Sequence, residues 1–412
     1  MKQGTKWLPL FSTNFLGVFN NNYFKLLIIT ITVNWFPKDS NLSSYIVSLA
    51  SGLFFVPYIL FSPLAGNLAQ IMLKKKIILY SRIAEFPIYS IGALGFYFEN
   101  IYIVLVCIFL LGVVSTLFSP AKYGLIRDIG GNEGISFGTG TLEMLTFFGN
   151  IVGPVVASII ADHYNYTLLS LILIGVAVLS LITTVMIKVT ESEPNTNINE
   201  TINPIMFLIN SFKWAKSYVG MNIIVLGLGI FWMIDGMLQM NLIVHCPNFL
   251  KLSNTQMSMI MSVALIGIGI GSYTAGVLSG GKVELLLTLI GGFGMTIFLF
   301  LTFIIQPNNA VLFSFFIFFI AMFSGFYMVP LSSYIQLKIE GRKQGQMIAY
   351  SNFVTFILLF IASVLFGVIS DNLGTNAVFL FLLIIIISMT LILLFFVKDF
   401  KNRLQILFSK KQ

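Results

Sequence analysis

Charged side chains are scarce in this chain of 412 residues: aspartate, glutamate, lysine and arginine together make up only 9%. A soluble globular protein carries about 25% of such residues, so the composition excludes that class. Hydrophobic residues make up 57% of the chain, and the mean hydropathy is +0.95. The sequence therefore indicates a membrane protein that crosses the bilayer many times.

Cysteine and histidine are also scarce, with two residues of each. Cys107 and Cys246 lie far apart in apolar runs, which predicts neither a disulfide framework nor a metal cluster. We expect no metal and no other cofactor. The first apolar run is too long for the core of a signal peptide and lacks a small-residue cleavage pattern, so we interpret it as a retained helix.

Long apolar segments alternate with short polar ones, and about 20 apolar residues are enough to cross the roughly 30 Å hydrocarbon layer. The pattern predicts an all-α membrane protein with twelve transmembrane helices, near residues 8–34, 43–66, 77–98, 101–126, 135–161, 165–188, 218–244, 255–280, 283–305, 309–331, 344–370 and 374–397. The polar interval 189–217 is interpreted as a cytoplasmic linker between two six-helix halves, residues 1–188 and 218–412, the second with a short basic tail.

The lysines and arginines predict the orientation. If the N-terminus is cytoplasmic, 18 of the 23 fall in cytoplasmic loops and ends, and only Lys38 and Lys251 fall outside. The others, Lys25, Arg82 and Lys122, lie within or at the edge of spans. Cytoplasmic loops of membrane proteins carry this excess, so both termini are predicted to be cytoplasmic. The net charge of +8 then needs no nucleic-acid partner.

A polar stretch interrupts the first span. Gly17-Val-Phe-Asn-Asn-Asn-Tyr-Phe-Lys25 places Asn20, Asn21, Asn22 and Lys25 among apolar residues. Polar groups at this depth are costly and usually face the bundle interior or a water-filled path. Asn14, Asn21 and Lys25 share one helix face because they are spaced i, i+7 and i+11. We predict that this face lines a cavity and that Lys25 lies in the substrate path.

Other polar residues recur at helical spacing. In span five, Thr139, Glu143, Thr146 and Asn150 form one face, for which a cavity lining is favoured over polar contacts between helices. Asp235 and Gln239 share a face in span seven. For this face a cavity lining and polar contacts between helices are equally favoured. Lys122 lines the cavity or extends to the headgroups. Arg82 and Glu85, at i and i+3, are interpreted as a structural pair.

The two halves repeat each other. Ala65-Gly66-Asn67-Leu68 recurs as Ala275-Gly276-Val277-Leu278, and Pro120 recurs as Pro330, each 210 residues later. Two similar halves in parallel orientation resemble the major facilitator superfamily. The loop Gly66-Asn-Leu-Ala-Gln-Ile-Met-Leu-Lys74-Lys75 resembles its signature between spans two and three, although Gln70 replaces the usual aspartate. The resemblance implies gating or structural roles for Gly66, Gln70, Lys74, Lys75, Arg82, Glu85, Pro120 and Pro330.

More specific motifs resemble the bacterial lysophospholipid transporter family. They are Gly17-Val-Phe-Asn-Asn-Asn-Tyr-Phe-Lys25, Ala84-Glu-Phe-Pro87, Phe118-Ser-Pro-Ala-Lys-Tyr-Gly124, Gly140-Thr-Leu-Glu143, Leu238-Gln-Met-Asn-Leu242, Leu278-Ser-Gly-Gly-Lys-Val-Glu-Leu285, Val329-Pro-Leu331 and Ile335-Gln336. Two departures are Asn21, where the family usually has an acidic residue, and Leu26, where an amide is common.

The resemblance implies a flippase, not an enzyme, that moves lysophospholipid across the bacterial inner membrane by alternating access. A separate acyltransferase is the implied partner, because neither histidine begins a His-x-x-x-x-Asp motif. Lys25 and the three asparagines would hold the phosphate, Glu143 or Asp235 would meet an amine, and Lys122 and Gln239 complete the candidate residues. Two alternatives are a proton-coupled exporter of small amphiphiles or drugs and a non-transporting membrane partner of an acyltransferase.

The predicted orientation has a direct test at the loop of Lys74, Lys75 and Lys76. We expect a cysteine introduced by Lys75→Cys to resist an impermeant maleimide added to intact cells, because this basic loop lies in the cytoplasm. The same cysteine should react after the cells are opened. Labelling in intact cells would show that the orientation is inverted.

Overall fold

The computed structural model describes residues 6–32, 35, 42–162, 165–191, 193–194, 203–397 and 399–400. Both chain termini, and with them part of the orientation prediction, lie outside these residues. Twelve α-helices run through the described part, which contains no β-strand. They are α1 (Leu8–Thr32), α2 (Leu42–Ile71), α3 (Lys74–Tyr97), α4 (Ile101–Asp162), α5 (Tyr166–Val185), α6 (Pro204–Ala215), α7 (Met221–Asn248), α8 (Asn254–Leu278), α9 (Leu286–Ile305), α10 (Ala310–Lys338), α11 (Lys343–Leu373) and α12 (Thr375–Phe396).

Helix α4 contains two of the predicted spans in one continuous element of 62 residues. Its helical geometry breaks at Gly131, where φ is 62° and ψ is −169°. Glycine adopts a positive φ without the steric penalty of a side chain. The break therefore falls between the spans predicted near 101–126 and 135–161, while Pro120 lies inside the first of them without ending it.

Ten of the described helices are long and apolar enough to cross a membrane. The long helix α4 counts once among them, although its length suffices for two crossings. Helix α1 is not counted, because Asn20, Asn21, Asn22 and Lys25 lower its hydropathy. The protein is thus an all-helical membrane protein with many spans, and the predicted fold class is confirmed.

The predicted linker contains a helix that the sequence analysis did not identify. Helix α6 begins with Pro204, and the side-chain oxygen of Asn203 accepts hydrogen bonds from the backbone N–H groups of the next turn. Asparagine is a favoured N-cap, and proline suits the first helical position. One face, with Phe207, Ser211 and Ala215 at four-residue spacing, is buried.

Contacts within the chain divide it into two compact units. Unit 1 comprises Met1–Ile129, Phe148–Leu208 and Gly341–Tyr350. Unit 2 comprises Gly130–Phe147, Ile209–Glu340 and Ser351–Gln412. Each unit thus contains a short segment from the opposite predicted half, so the halves 1–188 and 218–412 remain a prediction about domain organisation.

Close helix packing organises each unit. In unit 1, α1 and α3 pack against α5. In unit 2, α8 and α9 pack against α10, and α12 packs against α7 and α9. Where α8 meets α10, a side chain on Gly271 would collide with the backbone oxygen of Met322, and one on Gly325 would collide with the backbone of Ser272. Small residues allow such approach between membrane helices. The buried Pro330 lies inside α10, one turn beyond this crossing.

Candidate functional site

In unit 1, Asn21 ties α1 to two neighbouring helices. Its side-chain nitrogen donates to the Ser115 hydroxyl oxygen at 3.2 Å, and its oxygen accepts from the Tyr89 hydroxyl group at 2.8 Å. An amide satisfies both neighbours because it is donor and acceptor at once. Asn21 therefore has a contact role at the position where the resembled family usually has an acid.

Asn20 and Asn22 point to other neighbours. The Asn20 amide donates to the backbone oxygen of Leu173 in α5 at 3.0 Å, and its side chain is buried. The Asn22 amide donates to Asn150 Oδ1 in α4 at 2.9 Å and to the Val18 carbonyl at 2.8 Å. No two of the three asparagines share a partner, and their predicted role in holding a phosphate stays a prediction.

Lys25 has a different environment. Its ammonium lies 4.8 Å from the ring centroid of Phe55 and 5.6 Å from that of Phe54, both on α2. Among the residues that the structure describes, none forms an ion pair with it. The residue is half-buried and lies seven residues, or about 10 Å, before the last residue of α1. Its ammonium therefore lies near two aromatic rings of α2, and no carboxylate of the described residues pairs with it.

Lys122 is 9% exposed and points inward. Its ammonium donates to Asn14 Oδ1 at 3.1 Å and lies 4.9 Å from the Tyr123 ring centroid. Asn14 is fully buried on α1. The contact joins α4 to α1 inside unit 1, and the choice between a cavity lining and extension to the headgroups stays a prediction.

Arg82 and Glu85 form the structural pair that the sequence predicts. The Arg82 guanidinium lies 2.6 Å from Glu85 Oε2, and both side chains are 3% exposed. A second guanidinium nitrogen donates to the backbone oxygen of Thr13 at 3.2 Å. The guanidinium also lies against Gly17, where any Cβ atom would collide with it. The first glycine of the polar stretch is therefore explained by the position of Arg82.

In unit 2, Asp235 and Gln239 lie at a small cavity of about 30 Å³. The Gln239 amide donates to Asp235 Oδ2 at 2.7 Å. Most of the lining is apolar and comes from α7, α8, α9 and α10, including Met261, Met295 and Ile320. Both predicted residues are thus brought together at a cavity that holds a single carboxylate.

Glu143 is 1% exposed and belongs to the second part of α4. One turn earlier, Thr139 Oγ1 accepts a hydrogen bond of 2.9 Å from the Gln336 amide of α10. One turn later, Phe147 stacks on Trp232 with ring centroids 6.3 Å apart. This face of α4 therefore packs inside unit 2, and Glu143 is turned away from the lipid-facing surface.

The turn between α2 and α3 carries the signature residues. Gly66 approaches α11 so closely that an added Cβ would lie 3.2 Å from the Cβ of Ala349. Gln70 is fully buried, and neither side-chain polar atom has a hydrogen-bond partner in the described residues. The Lys74 ammonium pairs with Asp128 Oδ2 at 2.7 Å. Sequence reasoning missed Asp128, although its charge beside a span was a usable signal.

Two residues from other parts of the chain contact the same turn, and sequence reasoning missed both. The Glu191 carboxylate accepts hydrogen bonds from the backbone N–H groups of Lys74 and Lys75, at 2.6 and 2.9 Å. The Arg342 guanidinium lies 3.4 Å from Glu191 Oε2. Both residues stand in polar segments far away in the sequence, where no periodic pattern marks them.

These features define an all-helical membrane protein with many spans. The family model of the major facilitator superfamily matches residues 10–245 and again residues 224–411. The chain belongs to the major facilitator superfamily. A search of curated proteins found no match by sequence.

Solved structures share this fold at low sequence identity. The E. coli fucose:proton symporter has a TM-score of 0.73 at 14% identity, over 95% of this chain and 98% of that one. The human organic anion transporter MFSD10 has a TM-score of 0.72 at 12% identity, over 94% of this chain and 99% of that one. A bacterial homologue of the iron transporter ferroportin has a TM-score of 0.70 at 12% identity, over 96% of this chain and 99% of that one. Their cargoes differ, and identity this low supports the fold alone.

The Arg82–Glu85 pair has a stability test. We expect Glu85→Gln to lower the thermal unfolding temperature in detergent strongly, because breaking a buried pair costs about 3–5 kcal/mol. The double change Arg82→Met with Glu85→Met should recover much of this loss, since it leaves no buried charge unpaired. Equal stability of Glu85→Gln and the parent would contradict a structural pair.

Proposed function

We propose that the protein moves lysophospholipid across the bacterial inner membrane for re-acylation by a separate enzyme. The observation that carries the proposal is the environment of Lys25, a cation inside an apolar helix that faces the rings of Phe54 and Phe55. A phosphate needs a cation, and an acyl chain needs apolar walls. An amphiphile with one of each suits this combination.

The cost of placing a charge in the membrane, compared with the energy of a cation–π contact, favours an anionic ligand for Lys25. A charged residue at the centre of a membrane helix costs about 2.5–3.5 kcal/mol on insertion scales. A cation–π contact returns only about 0.5–2 kcal/mol. The two rings therefore offset part of the cost, and a phosphate would offset the remainder while the substrate is bound. In this proposal the Lys25 ammonium binds the phosphate of the headgroup.

The hydrogen bonds of the asparagines favour an amphiphile over a sugar. A sugar needs many polar partners around its ring, but the amides of Asn20, Asn21 and Asn22 donate to neighbouring helices. A lysophospholipid needs polar partners only at its headgroup. Its tail can lie along aromatic and aliphatic side chains or remain in the lipid.

The position of Asp235 suggests how the protein binds a zwitterionic headgroup. Its carboxylate and Gln239 lie at the cavity of unit 2, and in the described residues no lysine or arginine forms an ion pair with Asp235. A carboxylate among apolar side chains suits an ammonium group. The same placement favours a second candidate function, a proton-coupled exporter in which Asp235 or the buried Glu143 carries the proton.

The role of Lys25 is tested by transport in proteoliposomes with a labelled lysophospholipid. We expect Lys25→Gln to reduce the rate about 10- to 100-fold, because a hydrogen bond to a charged group contributes about 1.5–3 kcal/mol. Lys25→Arg should retain most of the rate. The matched control is Lys251→Gln, which removes one positive charge from an exposed loop position.

Three outcomes would contradict parts of this proposal. Transport by Lys25→Gln at the parent rate would leave the lysine a structural role only. Movement that depends strictly on a proton gradient would favour the exporter. Absence of lysophospholipid movement, together with binding of an acyltransferase, would favour the non-transporting partner.

Asp235 separates the two transport mechanisms. We expect Asp235→Asn to slow lysophosphatidylethanolamine, which carries an amine, at least tenfold more than lysophosphatidylglycerol, which has none. The reason is that only the first substrate gains from the carboxylate. Initial rates of both lipids measure this ratio. Equal slowing of both lipids would instead assign Asp235 to proton transfer.

A further inference from the structure

Helix α6 exposes apolar side chains although it is too short to cross the membrane. It has 12 residues and is therefore about 18 Å long, whereas the hydrocarbon layer is about 30 Å thick. The apolar side chains on its exposed face are between 42% and 71% exposed and belong to Ile205, Met206, Ile209 and Phe212. Single apolar side chains are normal at a protein surface, but four on one face of a short helix indicate an interaction site.

The protein holds α6 by its other face and by its C-terminal end. Phe207 is buried, and its ring lies beside Gly66 of α2 inside unit 1. The Asn222 side-chain nitrogen, at the start of α7, donates to the backbone oxygen of Phe212 at 3.1 Å. Helix α7 has 28 residues and is about 42 Å long, so its first turn lies at the level of the headgroups. The end of α6 is therefore fixed at the membrane surface.

Aromatic and basic side chains surround this end of α6. The rings of Trp214 and Tyr218 lie 5.6 Å apart, and both residue types are enriched where membranes meet water. Lys213 and Lys216 are exposed, and the Lys216 ammonium lies 4.9 Å from the ring centroid of Phe212. In the described part of the chain neither lysine forms an ion pair. No aspartate or glutamate occurs in α6 or between it and α7, so the charge of this face is positive.

We propose that α6 lies in the membrane surface and that Lys213 and Lys216 bind the headgroups of anionic phospholipids in the adjacent leaflet. The four apolar side chains enter the boundary between headgroups and acyl chains, while the two ammonium groups extend to the phosphates. The positive charge selects anionic lipids, because each lysine near an anionic surface strengthens binding about fivefold. This surface is separate from Lys25 and does not depend on which substrate is carried.

Fluorescence quenching in proteoliposomes tests where the exposed face lies. In a background with Cys107→Ala and Cys246→Ala, a fluorophore is attached to Ile209→Cys or, as the matched control, to Glu193→Cys, an exposed position of the same linker. We expect aqueous acrylamide to quench the label at Ile209→Cys several-fold less than the control, and a phospholipid spin-labelled near its headgroup to quench it several-fold more. Equal quenching of both labels by acrylamide would overturn the proposal. Protection from acrylamide without quenching by the lipid would also overturn it, because protein would then cover the face.

A comparison of two spin-labelled lipids tests the role of the lysines. At equal mole fraction, phosphatidylglycerol should quench the label at Ile209→Cys several-fold more than phosphatidylcholine, because the lysines enrich the anionic lipid beside α6. Adding Lys213→Gln and Lys216→Gln should bring this ratio close to one. The matched control, Lys251→Gln with Lys282→Gln, removes the same charge from two exposed loop positions and should keep the ratio. A ratio near one in the parent, or a ratio that Lys213→Gln and Lys216→Gln leave unchanged, would overturn the proposed binding of anionic lipid.

Discussion

A polar group inside the hydrocarbon layer must find its partner within the protein, because lipid offers none. Several polar side chains in the described spans follow this constraint. Arg82 binds Glu85 and a backbone oxygen, Lys122 binds Asn14, and Asn21 joins two helices. Each contact turns a costly group into a link between helices, so the polar residues fix the packing of unit 1.

Lys25 departs from this pattern, and the proposed function gives it a role in binding the substrate. The contacts of its ammonium in the described residues are the faces of two phenyl rings. A cation kept in such a place has a reason beyond packing, since a methionine or leucine would fill the space without the cost of a charge. In our proposal, lysophospholipid supplies the anion for Lys25, which forms no ion pair with the residues that the structure describes.

Some of this organisation is readable from the sequence. Apolar length predicts the spans, and the spacing of Arg82 and Glu85 predicts their ion pair, because both depend on neighbours along one helix. The hydrogen-bond partners of the asparagines cannot be predicted in this way, because they lie on other helices. Asn20 and Asn21 bind groups 153 and 94 residues away, and no local pattern encodes which helix lies beside α1. The shared face of Asn14, Asn21 and Lys25 suggested one cavity, whereas Asn14 contacts Lys122 and Asn21 contacts Ser115 and Tyr89.

Long-range contacts also limit what the sequence predicts about the linker. Its polar composition predicts a connection, but the cap that Glu191 places on α3 joins residues 117 positions apart. The turn signal Asn203-Pro204 was present for α6, yet the segment is too short and mixed for periodicity to identify it. Gln70 was recognised as a departure from the superfamily signature, and only the fold shows that the Glu191 carboxylate binds the start of α3.

The most direct test of the central claim is a structure of the protein in lipid nanodiscs with a bound lysophospholipid. The account predicts the phosphate within hydrogen-bond distance, about 3 Å, of the Lys25 ammonium, with the acyl chain extending along apolar side chains. A phosphate bound elsewhere, with Lys25 still against Phe54 and Phe55, would contradict it.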